Sequence, residues 1–563
     1  MITAKDALNA ANPDSEISFT TPTLPQPGHC PSNYPSTRLP KSSFVTHIPI
    51  QLLNPQLVQL SPELRFLIDY YDQTVCPSIV ISDGPSNPYR AHVLKLAFQN
   101  GALMEAIYAL ASSHLQQRRK IPQLEIRRAS VPRFSSRSSS QSPRSSISPP
   151  PPSDPISFLN PSISTSIPRQ HNIDTPSALA HKNTSIRLLN NQLVDSSLAV
   201  TDAAMATLLI LCLYHACETG VAQFRTHLAG VKKLMGMRCA GKETGIWTWM
   251  ETVFTWLDNM SASINNREAQ LQGGYLDMIA ENNGDWGLES LTGCSRSLFM
   301  RLAGLGRINM LSQQAPTNFY KAGPYCQDQT DDDDIEPTRN ENDGRGEFWA
   351  LWNAMKNDLI VWKPCAKYAP THSRHRNPDS GYSCRGFEFP QDLHPVLHSN
   401  GLLSPITKTS KAYEAVETNH WLHSTNVWRY AAILYLDRLA YPHLPSSHHV
   451  FQNTVRVVLD HLSCIPTTSG LSKSLMWPLF VTGAECVVYE HRMLIRDRCF
   501  DMQRDCGFFN KVSGLNVLEN LWNHETDEDS TLSYFVRGSE AIGGRGLKWR
   551  KITQHEDGEY LMI

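Results

Sequence analysis

The sequence predicts an all-α protein, and three observations support this fold class. Apolar residues recur at helical spacing in many segments, no alternating strand pattern of useful length occurs, and polar or Pro-rich stretches separate the helical segments. The clearest helical segment spans residues 201–235. Its first apolar stripe consists of Met205, Leu208, Leu209, Cys212 and Leu213.

Residues 201–235 predict two amphipathic helices packed as an antiparallel pair. Thr201 can cap the first helix, and Asp202 follows in the first turn, where the helix dipole favours negative charge. Residues 218–220 interrupt the pattern, and the second helix then carries an apolar stripe of Phe224, Leu228, Val231 and Leu234. Residues 208–213 are apolar nearly all round, so other helices must cover them. We therefore expect this pair at the centre of a larger helical body.

The N-terminal region is expected to become ordered near residue 59. Residues 1–58 are rich in Pro, Ser and Thr without a sustained period, which is typical of disorder. Ser61, Pro62 and Glu63 then form a helix start, because Pro is tolerated at the first helical position. Residues 76–89 are punctuated by prolines and are interpreted as a connection that no helix contains. A longer helix is expected over residues 89–117.

A basic, Ser/Pro-rich stretch at residues 118–170 is expected to be a disordered insertion into the helical domain, residues 59–563. It has too little apolar surface to offset the entropy of ordering. Arg127 and Arg128 precede Ser130 at the spacing that basic-directed kinases use, which makes Ser130 a candidate phosphorylation site. The alternatives are a solvated tether without a regulatory role and a dispersed nuclear-import signal.

Helical periodicity resumes at about residue 175. The later predicted helices cover residues 175–193, 246–264, 298–308, 349–362, 421–441 and 475–500. Trp477 and Pro478 lie near the start of the last helix and are interpreted as structural. Four charged residues fall within apolar helical patterns, and we expect them to form partly buried ion pairs or to line a ligand cavity. They are Arg429, Glu485, Glu490 and Arg492.

Composition argues against several classes of function. The net charge of −2 gives no global field for nucleic acid or membrane. The longest uncharged apolar run, residues 203–214, is shorter than the ~20 residues of a membrane span, and residues 1–12 lack the apolar core of a signal peptide. Thirteen cysteines occur without a CxxC motif, as in a reduced intracellular protein. Cys499 and Cys506 could therefore bridge only in an oxidising compartment.

Six segments, in this order, resemble the fungal-specific transcription factor domain that follows zinc-cluster DNA-binding domains. They span the chain from about residue 61 to its end. The segments are LIDYY at 67–71, DGPSNPYR at 83–90, AIYALASSHL at 106–115, HLAGVKKL at 227–234, WRYAAILYL at 428–436 and WPLFVTGAEC at 477–486. The resemblance implies a helical regulatory domain of a nuclear transcriptional regulator, usually carried C-terminal to a Zn₂Cys₆ cluster.

The sequence departs from that family pattern at its N-terminus. A binuclear zinc cluster needs six thiolates in two CxxC-led halves, whereas the first 60 residues contain Cys30 alone. We therefore expect no cofactor in this chain, and zinc only if an N-terminal cluster is missing from the sequence. DNA contact would then come through that missing domain or through a partner subunit. The resemblance also implies protein partners in the transcription machinery and leaves a homodimer open.

Two clusters of possible metal ligands occur, and the sequence favours a structural interpretation for each. Asp332, Asp333 and Glu336 have the DDxxE spacing that holds Mg²⁺ in helical terpene synthases, but they lie among polar residues and have no second metal motif. The other cluster offers four nitrogen and sulfur ligands at a spacing that matches no closed zinc site. It consists of Cys365, His372, His375 and Cys384. We assign no catalytic residue, cofactor-binding residue or metal ligand.

The sequence is best interpreted as a fungal transcriptional regulator and not as an enzyme. A small molecule, a phosphate at the basic tether or a partner would shift the helix packing, provided that it binds the two states with different affinities. The expected location is the nucleus, with a cytoplasmic pool as an alternative. Two other hypotheses remain, a helical scaffold paralogue that does not bind DNA and a helical Mg²⁺-dependent enzyme that uses the acidic run.

Overall fold

Helices make up nearly all of the secondary structure that the computed structural model describes, which confirms the all-α prediction. The described residues are 60–129, 176–238, 247–281, 286–313, 346–364, 410–442, 444–530, 547–553 and 558–563. The helices are α1 Pro62–Tyr70, α2 Cys76–Ile79, α3 Leu94–Ala97, α4 Gly101–Arg119, α5 Ile121–Ala129, α6 Pro176–Val194, α7 Ser196–Ala199, α8 Asp202–Glu218, α9 Phe224–Arg238, α10 Trp247–Ile264, α11 Gly274–Glu281, α12 Leu288–Thr292, α13 Arg296–Leu302, α14 Leu305–Leu311, α15 Gly346–Val361, α16 Ser410–Ala440, α17 His449–Ser463, α18 Met476–Gly483, α19 Tyr489–Cys506, α20 Asn510–Ser530 and α21 Arg550–Thr553.

Helix α8 lies at the centre of the described helices, as its sequence predicts. The Thr201 hydroxyl accepts from the Ala204 amide at 3.3 Å and caps the helix, and Gly220 ends the segment with φ of +74°. Side chains around the whole circumference of α8 are buried. They pack against α4, α6, α9, α10 and α20. The predicted partner helix α9 buries Phe224, Leu228, Val231 and Leu234.

A short antiparallel ribbon fastens the C-terminal residues to this core. Strand β1, Val221–Ala222, pairs with β2, Glu559–Tyr560, with Val221 opposite Tyr560. The Asn265 side chain bonds both backbone groups of Tyr560, at 2.8 and 2.9 Å. In the adjoining buried cluster, Arg267 bonds Asp258 at 2.7 Å and Glu559 at 2.8 Å. Residues 558–563 are thereby held against α10.

Stacked aromatic side chains join α10, α16 and α18. Trp428 and Trp477 lie parallel with ring centroids 5.4 Å apart, and Trp256 meets Trp428 edge-on at 5.3 Å. The indole N–H of Trp477 donates to the Ser263 hydroxyl at 2.8 Å, so this buried polar atom is satisfied. Trp477 and Pro478 lie in the first turn of α18 and are buried, which agrees with the structural role predicted for them.

A bidentate ion pair joins α16 to the end of α18. Arg438 donates to Glu485 at 2.7 and 2.5 Å, and both side chains are at most 3% exposed. The Arg438 guanidinium also lies 3.9 Å from the Phe451 ring centroid and donates to the Leu444 carbonyl at 2.7 Å. The expected burial of Glu485 is therefore confirmed, with a partner that the sequence did not indicate.

The other three charged residues predicted to pair or to line a cavity have different surroundings. Arg429 donates to the carbonyls of Leu359 and Ile360 at 2.6 and 2.5 Å. Arg492 donates to the Cys486 carbonyl at 2.7 Å, and Glu490 is exposed. The two arginines therefore bind the carbonyl groups where α15 and α18 end.

Several predicted boundaries are wrong, and in each case a local bond or residue explains the difference. The helix expected over 89–117 is interrupted before α4, because the Asn100 side chain accepts from the Leu103 amide at 3.0 Å and starts a new helix. Residues 76–79 are helical despite Pro77, since Pro77 lies in the first turn of α2, directly after a π-helical turn at Tyr71–Val75.

Two other predicted helices are each divided in two. The helix predicted over 298–308 breaks at Gly304, a weak helix former that stands at the N-cap of α14. The helix predicted over 475–500 becomes α18 and α19. Between them, the Arg438 and Arg492 side chains bind the Glu485 carboxylate and the Cys486 carbonyl.

The predicted start of the insertion, residue 118, is also wrong. Arg118 and Arg119 end α4, α5 spans Ile121–Ala129, and three of the basic side chains there are bonded to carboxylates or carbonyls. Arg127 pairs with Glu519, and Arg128 pairs with Asp497 at 2.9 Å and Asp501 at 2.7 Å. Arg118 donates to the Arg504 carbonyl. The rest of the predicted insertion, residues 130–170, and the N-terminal segment 1–58 lie outside the described residues.

Replacing Arg438 by Met should lower the free energy of unfolding by about 3–5 kcal/mol, because Glu485 would remain buried without its partner. Adding Glu485→Gln to this variant should recover part of the loss, since the unpaired negative charge is then removed. Denaturant unfolding followed by circular dichroism measures both changes. Arg307, which is half exposed and pairs with Glu347, offers a control whose Ala variant should unfold at the wild-type midpoint.

Candidate functional site

A pocket lies where the central helices meet several connecting segments. Its free volume is about 100 Å³. The lining residues come from the end of α2, from α8, α10 and α12, and from the segments around residues 473 and 508. They are Ser78, Ile79, Ile81, Tyr89, Leu213, Ala216, Val253, Trp256, Leu257, Leu291, Thr292, Lys473, Ser474, Cys506, Phe508, Asn510, Lys511 and Ile563.

The wall of the pocket on the α8 and α10 side is apolar. Leu213 and Ala216 are three residues apart on α8. Residues three or four apart lie on the same face of a helix, so their side chains are neighbours. Val253, Trp256 and Leu257 repeat this spacing on α10. All five side chains are buried, and Trp256 also touches the aromatic stack of the core. This wall is therefore continuous with the buried aromatic core.

Two lysines also line the pocket. Lys511 is only 5% exposed and donates to the main-chain oxygen of Ile563, whereas Lys473 is partly exposed and donates to the Pro77 carbonyl at 2.9 Å. Burial lowers the pKa of both ammonium groups, because a charged form loses hydration in the interior. No carboxylate side chain is among the described residues that line the pocket.

Asn510 stands next to Lys511 and ties the pocket to the C-terminal residues. Its side-chain amide donates to the main-chain oxygens of Leu561 and Ile563 at 3.1 and 3.0 Å. Its oxygen Oδ1 is buried and has no hydrogen-bond partner among the described residues. A buried acceptor without a donor is costly, so this atom marks an unmet hydrogen bond at the pocket wall.

A buried histidine holds the segment that carries these residues. His114 of α4 accepts from the Tyr70 hydroxyl at Nδ1, 2.9 Å away, and donates from Nε2 to the Cys506 carbonyl at 2.7 Å. This tautomer is assigned from the carbonyl partner, which can only accept. Burial lowers the pKa of His114 to about 4 and raises the pKa of Tyr70 to about 12. The imidazole is therefore neutral at physiological pH.

Gly507 makes the close approach to His114 possible. It ends α19 in the left-handed conformation with φ of +76°. A Cβ atom at this position would lie 2.5 Å from His114 Nε2. The turn that leads from Cys506 to Phe508 and Asn510 in the pocket thus requires glycine at this point.

Most of the candidate residues proposed from the sequence lie outside the described residues, and one, Cys506, lines the pocket. Asp332, Asp333 and Glu336 lie outside the described residues, as do Ser130 and the cluster Cys365, His372, His375 and Cys384. Cys499 and Cys506 are both buried free thiols. Within the described ranges, His, Cys, Asp and Glu side chains form no group of three or more that could hold a metal ion.

The lysines of the pocket were not predicted from the sequence. Lys511 follows Phe508 and Phe509 and precedes Val512 on an apolar helical pattern, which was the available signal. Lys473 offered none, because its segment reads as a polar Ser-rich connection. The four charged residues that the sequence singled out, from Arg429 to Arg492, do not line this pocket.

The described residues form an all-helical domain with a pocket beside its central helices. The family model for the fungal specific transcription factor domain matches residues 65–563, so the chain belongs to that family. Neither a curated protein nor a solved structure matches the chain. Among the described helices, none combines the length and the apolar character needed to cross a lipid bilayer.

Acidification should destabilise the fold through His114. Its pKa is about 4 in the folded protein and 6.5 as an ordinary value, so between these pH values the unfolded chain binds a proton that the native state does not. Stability is therefore complete above pH 6.5 and is lost as the pH falls towards 4, by about 3 kcal/mol. Denaturant unfolding at both ends of this window measures the loss.

A His114→Gln variant isolates this contribution, because Gln can keep hydrogen bonds to Tyr70 and Cys506 but does not titrate. Its stability should fall less on acidification than that of the wild type. Other buried histidines, such as His215, also have a lowered pKa and act in the same direction in both proteins. Equal losses in the two proteins would contradict the assignment.

Gly507→Ala should lower the free energy of unfolding by about 2–4 kcal/mol, because the new Cβ combines a strained backbone with a collision at His114. Gly236→Ala is the matched control. That glycine is exposed on α9 and has no atom within 4 Å of an added Cβ, so the change should be neutral or slightly stabilising. Thermal unfolding of the two variants side by side tests the difference.

Proposed function

We propose that this chain regulates transcription in the nucleus through a zinc-cluster type of mechanism. The family match over residues 65–563 is the observation that carries the proposal, and it supports a fungal transcription regulator. The described helices supply the regulatory part. DNA contact would come from an N-terminal Zn₂Cys₆ cluster beyond this sequence, which would hold the zinc, or from a partner subunit.

The regulatory step we propose is a change in helix packing. The pocket brings together segments from residue 78 to residue 563, so a bound molecule would contact parts of the domain that are distant in sequence. Such a molecule shifts the equilibrium between two arrangements of the helices only to the extent that its affinities for them differ. Proteins of the transcription machinery, or a second copy of this chain, would then bind one arrangement in preference to the other.

Phosphorylation at Ser130 would be a second input to the same domain. Ser130 directly follows α5, whose Arg127 and Arg128 pair with Glu519, Asp497 and Asp501. A phosphate adds a charge of about −1.5 to −2 and would compete with these carboxylates for the arginines. The modification would thereby weaken the attachment of α5 to α19 and α20.

We propose a regulatory and not a catalytic role. Family membership favours regulation, and this is the observation that supports the proposal. The acidic run at Asp332, Asp333 and Glu336 lies outside the described residues, so its mutation is a separate test. Loss of the cellular phenotype on changing Asp332 and Asp333 to Asn would favour catalysis instead.

Chromatin immunoprecipitation of the tagged chain, expressed from its own locus, tests the proposal. The 5′ end of the transcript is mapped in the same strain. Enrichment at promoters together with a longer transcript that encodes a zinc cluster would support direct DNA binding. Enrichment without such a transcript would support recruitment through a partner. A cytoplasmic signal without enrichment would contradict regulation and favour the scaffold hypothesis.

A further inference from the structure

We propose that one face of α19 and α20 is a recognition surface for the end of a helix that carries two arginines, and that α5 occupies this surface reversibly. This α5-binding face consists of Arg496, Asp497, Phe500, Asp501 and Glu519. Neither a phosphate at Ser130 nor a route to DNA is needed for this recognition.

Helix α5 buries little apolar surface of its own. It spans Ile121–Ala129, and none of its side chains is buried. Leu124 packs partly against the core, but Ile126 is 69% exposed. A helix of nine residues is also too short to be stable alone in water. The polar contacts of α5 with α19 and α20 therefore contribute much of its attachment.

The charges of α5 and of the two helices beneath it are complementary. Arg127 pairs with Glu519 of α20. Arg128 donates to Asp497 at 2.9 Å and to Asp501 at 2.7 Å, and both of these carboxylates belong to α19. Hydrogen bonds between a guanidinium and a carboxylate are stronger than those between neutral groups. Two adjacent arginines thus meet three carboxylates, and α5 links α19 to α20.

The α5-binding face also holds the carbonyl end of α5. Arg496 is only 4% exposed and donates to the main-chain oxygens of Arg127 and Arg128 at 2.9 and 3.1 Å. The last carbonyl groups of a helix lack partners within that helix, so they are free to accept these bonds. The Phe500 ring lies 4.9 Å from the Arg496 guanidinium and 5.9 Å from that of Arg127. The surface therefore recognises the end of a helix and not merely positive charge.

These contacts suit reversible binding. The side chains of Arg127, Arg128 and Asp497 are 28%, 18% and 33% exposed, and Asp501 is shared with Arg504 at 2.9 Å. Ion pairs that water can reach are weak, and salt screens them. A rise in ionic strength should therefore release α5 and leave the apolar core intact. The vacated surface would then fit another helix that ends in two arginines.

Hydrogen–deuterium exchange of the full chain measures whether α5 is released. In about 0.5 M NaCl the amides of α5 should exchange at least about fivefold faster than in about 0.05 M NaCl, whereas those of α8 should not change. Asp497→Asn should accelerate exchange in α5 at low salt, because Arg128 loses a charged partner. Asp460→Asn is the control, since Asp460 is exposed on α17, and it should leave α5 protected. Protection of α5 that does not depend on salt would contradict reversible attachment.

An acetylated and amidated peptide of residues 120–129 tests recognition directly. The full chain with Arg127→Gln and Arg128→Gln should release its own α5 and bind this peptide at one site in isothermal titration calorimetry at low salt. A peptide with the same two arginines replaced by glutamine should bind at least about tenfold more weakly, because it lacks the charges that the carboxylates recognise. The wild-type chain should also bind the arginine peptide more weakly, since its own α5 occupies the surface. Equal binding of the two peptides, or no saturable binding to the double variant, would overturn the proposal.

Discussion

The geometry of the pocket depends on one buried hydrogen-bonded histidine. His114 joins α1 through Tyr70 and reaches Cys506, a residue 392 positions away in the chain. The turn that it holds continues directly into Phe508, Asn510 and Lys511, which form one wall of the pocket. A charged imidazole would lose the bond from Tyr70, because a protonated Nδ1 cannot accept. The neutral state of one ring therefore fixes the position of a wall that is distant in sequence.

Buried charges perform a similar function elsewhere in the described structure. Arg438 and Glu485 join α16 to α18, while Arg267 joins α10 to the C-terminal strand through Asp258 and Glu559. Such pairs add little net stability compared with apolar packing, but an unpaired partner is strongly unfavourable. Each pair therefore disfavours arrangements of the helices that would separate its two charges. The precision of the fold thus comes from a few polar contacts within a largely apolar core.

Local signals in the sequence predicted much of the fold but little of the site. Some features depend only on residues that are close in sequence, so they could be identified without tertiary information. They are the cap at Thr201, the break at Gly220 and the apolar faces of α8 and α9. The helix breaks after Gly483 and before α4 were harder to predict from the sequence. The first depends on Arg438 and Arg492 binding groups that a helical pattern alone assigns to a continuous helix.

The pocket could not be predicted for the same physical reason. Lys473 and Lys511 become neighbours of the α8 and α10 side chains only after the chain has folded, and a lysine in isolation is most often a surface residue. The arginines of α5 are the reverse case, because they were predicted to be solvated but are bonded in the folded protein. Arg127 and Arg128 have a sequence context typical of a solvated segment, yet Glu519, Asp497 and Asp501 bind them on the folded surface. Partner choice between distant charges is not encoded in local pattern.

The construction of the pocket indicates which of its parts can respond to a ligand. The α8 and α10 wall packs against the aromatic stack of Trp256, Trp428 and Trp477. A displacement of these rings would lose the close contacts of a densely packed core. The second wall comes from the 3₁₀ turn at Gly470–Ser474, the first turn of α20 and the C-terminal residues, and it includes the bond from Lys473 to Pro77. A ligand that occupies the gap must therefore act mainly on this second wall. Since Asn510 links that wall to Leu561, and the Leu561 amide donates to the Gly220 carbonyl at 2.9 Å, a shift there would be transmitted to the end of α8.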